Sequence, residues 1–152
     1  MIRKKLTKEQ GLQKLKHFCA YQERSHNEVR EKLFDLGLRK NDREEIIASL
    51  IEENYLNEER FAMAFAGGKW RIKRWGRVKI KYELRQRGVS EYNIKQALKQ
   101  IGEEEYLEVL HKLYREKYAS ARHTQPLLRK KKTIDYLVGR GFEAALMIQI
   151  EK

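Results

Sequence analysis

Three phrases along the chain end in the same way, and that recurrence limits the fold more than any other feature. EVREKLFDLGL (28–38), KIKYELRQRGV (79–89) and KKTIDYLVGRGF (131–142) each set a leucine four residues before a glycine, with an apolar residue directly after it. The leucines are Leu33, Leu84 and Leu137, the glycines Gly37, Gly88 and Gly141, and the followers Leu38, Val89 and Phe142. The glycines lie 51 and then 53 positions apart, a period that marks an array built from copies of one supersecondary unit. Glycine behind a periodic apolar stretch is a helix C-cap, because without a Cβ it enters the left-handed conformation at no steric cost. The expected fold is therefore all-α: three tandem three-helix repeats forming an elongated, curved array.

Start and stop signals divide the chain accordingly. The first repeat spans 7–54, with helices at about Thr7–Glu23, Ser25–Leu36 and Asn41–Glu53. Ser25 with Glu28, and Asn41 with Glu44, have capping-box spacing. The second repeat, 57–101, has helices at about Asn57–Arg74, Gly76–Arg87 and Ser90–Ile101, with Asn57 and Ser90 as N-caps. The third, 103–151, has helices at about Glu103–Ala119, Pro126–Arg140 and from Phe142 to the end. Pro126 suits a first helical turn, and 120–125 is the one stretch that resembles a linker.

Apolar spacing supports this layout. The pairs Val29/Leu33, Ile46/Leu50, Ile80/Leu84 and Ile94/Leu98 recur at i, i+4 and are expected in the core. Phe61, Phe65, Gly68 and Ile72 fall on one predicted helix face, and the short apolar tail (Phe142, Leu146, Ile148, Ile150) is expected to cap the array. Gly67-Gly68 inside a helix costs about 1 kcal/mol per glycine against alanine, which points to a close helix approach or a bend.

Composition narrows the class. At 152 residues the chain is 37% charged and carries one proline and one cysteine, Cys19. A lone cysteine excludes an internal disulfide and suits a reducing cytosol. The N-terminal MIRKKLTKEQ lacks an apolar signal region, and the longest uninterrupted apolar run is Phe61–Ala66. A cytoplasmic protein without membrane spans, acting as a monomer, is expected.

The net charge of +12 is concentrated. Residues 55–101 carry +8, against +2 on either side. Within 69–87, nine cations face the single anion Glu83, with Trp70 and Trp75 among them. A charge run is by default a solvated helix face, but an imbalance this local indicates a polyanionic partner. Arg77, Lys81 and Arg85 recur every four residues as an expected exposed stripe. Arg60, Arg71 and Arg74 form a second stripe on the preceding helix, and Lys69, Lys73, Lys79 and Arg87 complete the basic set. Such stripes track phosphates without reading sequence. The tryptophans either stack on bases of a single strand or anchor helix packing.

Catalytic chemistry finds no support. His17, His26, His111 and His123 share no metal-ligand spacing with Cys19 or one another. Phosphate-binding glycine loops, nucleophile elbows and paired catalytic acids are absent from the pattern. Neither enzyme activity nor a cofactor or metal is expected.

Residues 55–89, YLNEERFAMAFAGGKWRIKRWGRVKIKYELRQRGV, resemble the RecX family of bacterial recombination regulators. The family pattern has small or acidic residues before Arg-Phe-Ala, a basic stretch, a glycine, and a helix ending Glu-Leu-Arg-Xaa-Arg-Gly. Here these are Asn57–Glu59, Arg60-Phe61-Ala62, the cations from Lys69, then Gly76, and Glu83-Leu84-Arg85-Gln86-Arg87-Gly88. SHNEVREKLFDLG (25–37) fits the first repeat, and the third fits more weakly. The sequence departs from the pattern at Gly67-Gly68, where bulkier residues belong. The resemblance implies a regulator of recombination and DNA repair that binds RecA and its filament on single-stranded DNA, limiting filament growth, ATP hydrolysis and strand exchange. It also leaves room for weak direct DNA binding. The rival expectation is a helix-turn-helix-like DNA-binding module without a RecA partner.

Overall fold

The computed structural model describes residues 6–122 and 125–150. These form α1 (Lys8–Tyr21), α2 (His26–Asp35), α3 (Lys40–Glu52), α4 (Glu58–Gly68), a π-helical turn (Lys69–Lys73), α5 (Arg77–Gln86), α6 (Glu91–Leu98), α7 (Glu103–Ser120), α8 (Pro126–Gly139) and a 3₁₀ turn (Ala144–Leu146). No strand occurs among the described residues, and none of their helices is long and apolar enough to cross a membrane. His123, part of the 120–125 stretch, and residue 151 at the end of the third repeat lie outside the described residues.

Most helix starts follow the side chains expected to cap them. Ser25 and Glu28 close a reciprocal box at the start of α2, each bond 3.1 Å. Asn57 and Ser90 accept from the amides of Arg60 (2.9 Å) and Asn93 (3.2 Å). Pro126 occupies the first turn of α8. Asn41 does not act as a cap: α3 already begins at Lys40, behind an extended Arg39 that makes no side-chain cap bond. Arg43 reaches back to the Leu38 carbonyl at 2.6 Å and secures that earlier start.

The three glycine phrases fold alike. Gly37, Gly88 and Gly141 take φ of +78°, +78° and +100°. Their amides donate to the carbonyls of Phe34, Arg85 and Val138. The amides of Leu38, Val89 and Phe142 donate to those of Leu33, Leu84 and Leu137. This is the Schellman pairing, in which the residue after the glycine also packs back on the helix. The repeated leucine and the apolar follower are thus two ends of one hydrogen bond, and all six side chains are buried.

Packing divides the array unevenly. Leu15, Val29, Leu33, Ile46 and Leu50 lie in a core formed by α1–α3. A second, continuous core runs from Phe61 through Ile80, Leu84 and Ile94 to Leu110, Leu137 and Met147, joining α4–α6 to α7 and α8. At its centre the rings of Trp70 and Tyr106 lie 5.3 Å apart, and those of Tyr106 and Phe142 5.4 Å apart. Aromatic pairs at such offsets add about 0.5–1.5 kcal/mol beyond burial. Leu98 is only partly buried, and Ala97 takes the deepest position on α6.

The expected ninth helix does not form. Among the described residues beyond Phe142 the chain makes only the 3₁₀ turn, with Phe142 and Met147 buried and Ile148 exposed. So short a segment does not offset the cost of nucleating an α-helix. Its two anchors are five residues apart, which suits a tighter path.

Candidate polyanion interface

The basic segment is shaped by the break in the fourth helix. After Gly68 the backbone widens into the π-turn and ends at Arg74, a non-glycine residue at φ +52°. Widening carries the residues after Trp70 off the buried face. Trp70, one ordinary turn after Ala66, stays in the core, while Ile72, expected on the buried face, is 80% exposed. Gly67 is the close-approach glycine. A Cβ there would meet the Arg71 guanidinium and Gln100 Oε1 at 2.7 Å. The glycine pair departing from the family pattern thus marks the bend.

The third repeat closes that turn. The Arg140 guanidinium donates to the carbonyls of Lys73 and Arg74. The first amides of α5 are satisfied across the same joint. Gly76 N–H donates to the Arg140 carbonyl (2.8 Å), Arg77 N–H to the Tyr106 hydroxyl (3.0 Å), and Val78 N–H to the Gly141 carbonyl (3.0 Å). The Tyr106 hydroxyl in turn donates to Glu143 at 2.5 Å. Burial, and then that carboxylate, push the Tyr106 phenol well above its usual value.

The ten cations expected at the interface separate into two groups. Four hold carboxylates: Arg60 with Glu23 (2.6 Å), Arg77 with Glu103 (2.6 Å) and Glu143 (2.8 Å), Arg85 with Glu91 (2.5 Å), and Arg87 with Glu83 (2.9 Å). Burial disfavours the Arg77 charge, but its two carboxylates outweigh that and raise its pKa further. Two of the three cations in the stripe expected to be exposed, Arg77 and Arg85, are therefore engaged in ion pairs, because α5 packs beside the acid-rich starts of α6 and α7. Arg77 ties the second repeat to the third, just as Arg60 ties the second to the first.

The other six, Lys69, Arg71, Lys73, Arg74, Lys79 and Lys81, have no carboxylate within ion-pair distance among the described residues. Five of them gather at the π-turn and its flank. Half-buried Trp75 lies between Lys69 (4.9 Å to the ring centre) and Lys79 (4.4 Å). Phe65 continues the row, with Lys69 at 5.4 Å and Arg87 at 4.7 Å. Each cation–π contact is worth about 0.5–1 kcal/mol at an exposed site, and it leaves the ammonium able to meet an anion. Exposed Ile72 stands between Arg71 and Lys73. The two tryptophans thus differ: Trp70 is buried in the core with the Arg74 guanidinium over its ring (5.0 Å), and half-buried Trp75 takes Lys69 and Lys79. Lys81 stands apart, in a groove between α5 and α6.

Sequence spacing could not separate the two groups, because, apart from Glu83 beside Arg87 on α5, the neutralising acids come from other helices. Arg140 and Glu143 were not anticipated; their only signal was that a charged pair flanks the third repeated glycine. Among the described residues, no group of three His, Cys, Asp or Glu side chains is placed to hold a metal ion.

Comparisons with known proteins agree with this architecture. Residues 57–98 match the family model for the second three-helix domain of RecX, and residues 103–148 match that for the third. The chain is 34% identical over 122 residues to the regulatory protein RecX of Pelodictyon phaeoclathratiforme, covering 79% of this chain and 74% of that one. Identity to the RecX of Clostridium acetobutylicum is 29% over 123 residues, or 78% of this chain and 56% of that protein. A crystal structure of RecX from Lactobacillus salivarius superposes with a TM-score of 0.84 at 21% identity, covering 93% of this chain and 92% of that one. Another RecX crystal structure gives 0.85 at 22% identity, covering 94% and 70%. The chain spans about half the length of some relatives, 47% for that of Leuconostoc mesenteroides. With its second and third domains matched and its fold shared, this chain belongs to the RecX family of regulatory proteins.

Proposed function

We propose that this protein regulates homologous recombination and DNA repair by binding RecA and its filament on single-stranded DNA, limiting filament growth, ATP hydrolysis and strand exchange. In this reading it acts in the cytoplasm as a monomer, without cofactor or catalysis, through its three units 7–54, 57–101 and 103–151. The observation that carries the reading, beyond family membership, is the group of acid-free cations at the π-turn and on Trp75. Acid partners are abundant elsewhere in the chain, so leaving five cations together without them costs self-repulsion unless a polyanion is met. Consecutive units able to touch successive protomers gain by effective concentration, each later contact being easier than the first.

A helix-turn-helix-like DNA reader is the weaker alternative. Such a reader presents the start of its recognition helix to base edges. Here the start of α5 is covered by Tyr106, Arg140 and Gly141. Binding to an immobilised oligo(dT), bare or coated with RecA, separates the two readings. RecA-coated strand should retain the protein at salt concentrations that strip it from bare strand. Equal retention on both would favour the DNA-binding module.

A further inference from the structure

We infer that the groove between α5 and α6 docks an acidic peptide segment of the protein partner. This rests on the reading that the chain acts on a protein, and it assigns that contact to a face other than the one around Trp75. Lys79 and Lys81 are two positions apart on α5, about 200° around a helix of 3.6 residues per turn, so they leave on opposite sides. Lys79 lies on Trp75, whereas Lys81 lines the groove.

The groove has a volume of about 580 Å³. Its apolar floor is made by Ile94, Ile101 and the partly exposed Leu98. Lys95 on α6 and Lys99 at its C-cap form one bank, and Lys81 stands on the other. The two acids at the rim are already engaged, Glu91 by Arg85 and Glu103 by Arg77. The three lysines have no carboxylate within ion-pair distance among the described residues. An apolar side chain seated on Leu98, with carboxylates on either side, would meet both banks at once.

The first repeat serves as an internal reference. Its groove between α2 and α3 occupies the equivalent place and has about 670 Å³. There the three cations Arg30, Lys40 and Arg43 are equalled in number by Glu31, Asp35 and Glu44, whereas four cations and two acids line the groove of the second repeat. The groove belongs to the repeat architecture, but of these two only that of the second repeat has more cations than acids in its lining. Electrostatic complementarity of this kind selects the partner and speeds its association.

The test uses the full chain and a fluorescein-labelled 14-residue peptide of glutamates with a leucine at every fourth position, followed by anisotropy at low salt. The wild-type chain should bind it, with amide shifts from Ile94 to Ile101 on titration. Lys81→Gln, Lys95→Gln and Lys99→Gln together should weaken binding at least tenfold with unchanged helical content. Lys69→Gln, Lys73→Gln and Lys79→Gln together should change it less than twofold. Equal losses from both triples, or amide shifts confined to the Trp75 side, would overturn the assignment. So would stoichiometric displacement of the peptide by oligo(dT), which would make the groove a nucleic-acid site. Peptide uptake only on self-association of the chain would overturn it as well. The titration contains no RecA, so its failure would remove the groove and leave the regulatory reading untouched.

Discussion

A Cβ placed on Gly76 would fall on the carbonyl group of Gly141, and one placed on Gly141 would fall on Lys79. The glycine that opens α5 and the glycine that closes α8 thus meet backbone to backbone across the joint between the second and third repeats. The first joint has a looser version, in which a Cβ on Gly88 would meet the Asn27 side-chain amide at 2.7 Å. The end of each second helix therefore rests on the start of the one before it.

Gly76→Ala isolates that contact, because φ at Gly76 is −73° and alanine adopts it without strain. The expected cost is about 1–3 kcal/mol, as for overpacking a filled site, read as a lower urea midpoint. Gly37→Ala is the comparison, since Gly37 has φ +78° but nothing within 4 Å of its added Cβ. It should lose only the left-handed penalty, about 1–2 kcal/mol. Gly141→Ala combines both effects and should lose most. A Gly76→Ala chain as stable as wild type would contradict the joint.

Leu84 is fully buried in the core shared by the second and third repeats, so Leu84→Ala should cost about 2–5 kcal/mol. The loss should reach the third repeat, seen as reduced amide protection in α7 and α8, more than α1–α3, which have their own core. A change below about 0.5 kcal/mol, the range of surface substitutions, would reject the alignment of repeated leucines.

How much of this was legible in sequence depends on where the information lay. The Schellman turns at Gly37, Gly88 and Gly141 are local, and Leu33, Leu84 and Leu137 announced them. The π-turn was signalled by Gly67-Gly68 but not specified, because its closure depends on Arg140, 67 residues from Lys73. The neutralisation of Arg77 by Glu103 and Glu143 was invisible for the same reason: no helical spacing links partners from different repeats. The basic segment was found, while which of its cations remain free required the packed array.

Acidification should loosen the first joint. Burial pushes the His26 imidazole below its usual value, against the pull of Glu58. Folding therefore disfavours its protonated form. This stability is complete above 6.5 and is lost as pH falls from there toward the lower folded value. At Glu58 burial pushes the carboxyl up, but hydrogen bonds from Asn93 and Ser90 prevail and hold it below 4.5. Its contribution is present above 4.5 and fades as pH falls through the folded value. The urea midpoint should thus decline on acidification in two successive windows, and His26→Asn should flatten the upper one. A midpoint that rises between pH 6.5 and 5.5 (about one unit) would reverse the assigned signs.

Direct contact with nucleic acid should be electrostatic and sequence-tolerant. If about four of the cations around Trp75 meet phosphates, log affinity for oligo(dT) should fall against log salt with a slope near −3, from about 0.7 per contact. Ile72 is exposed, so Ile72→Ala should leave the urea midpoint unchanged while lowering that affinity. A slope near zero would place this face against protein.

The most direct measurement is ATP hydrolysis by RecA on single-stranded DNA with this protein added below stoichiometry. Hydrolysis should fall with the wild-type chain. Lys69→Glu, Lys73→Glu and Lys79→Glu together should abolish the effect with helical content intact. The same reversal at Lys130, Lys131 and Lys132, where Lys131 already pairs with Asp135, should weaken it less. Full inhibition retained by the first triple, or hydrolysis untouched by the wild-type chain, would contradict the account.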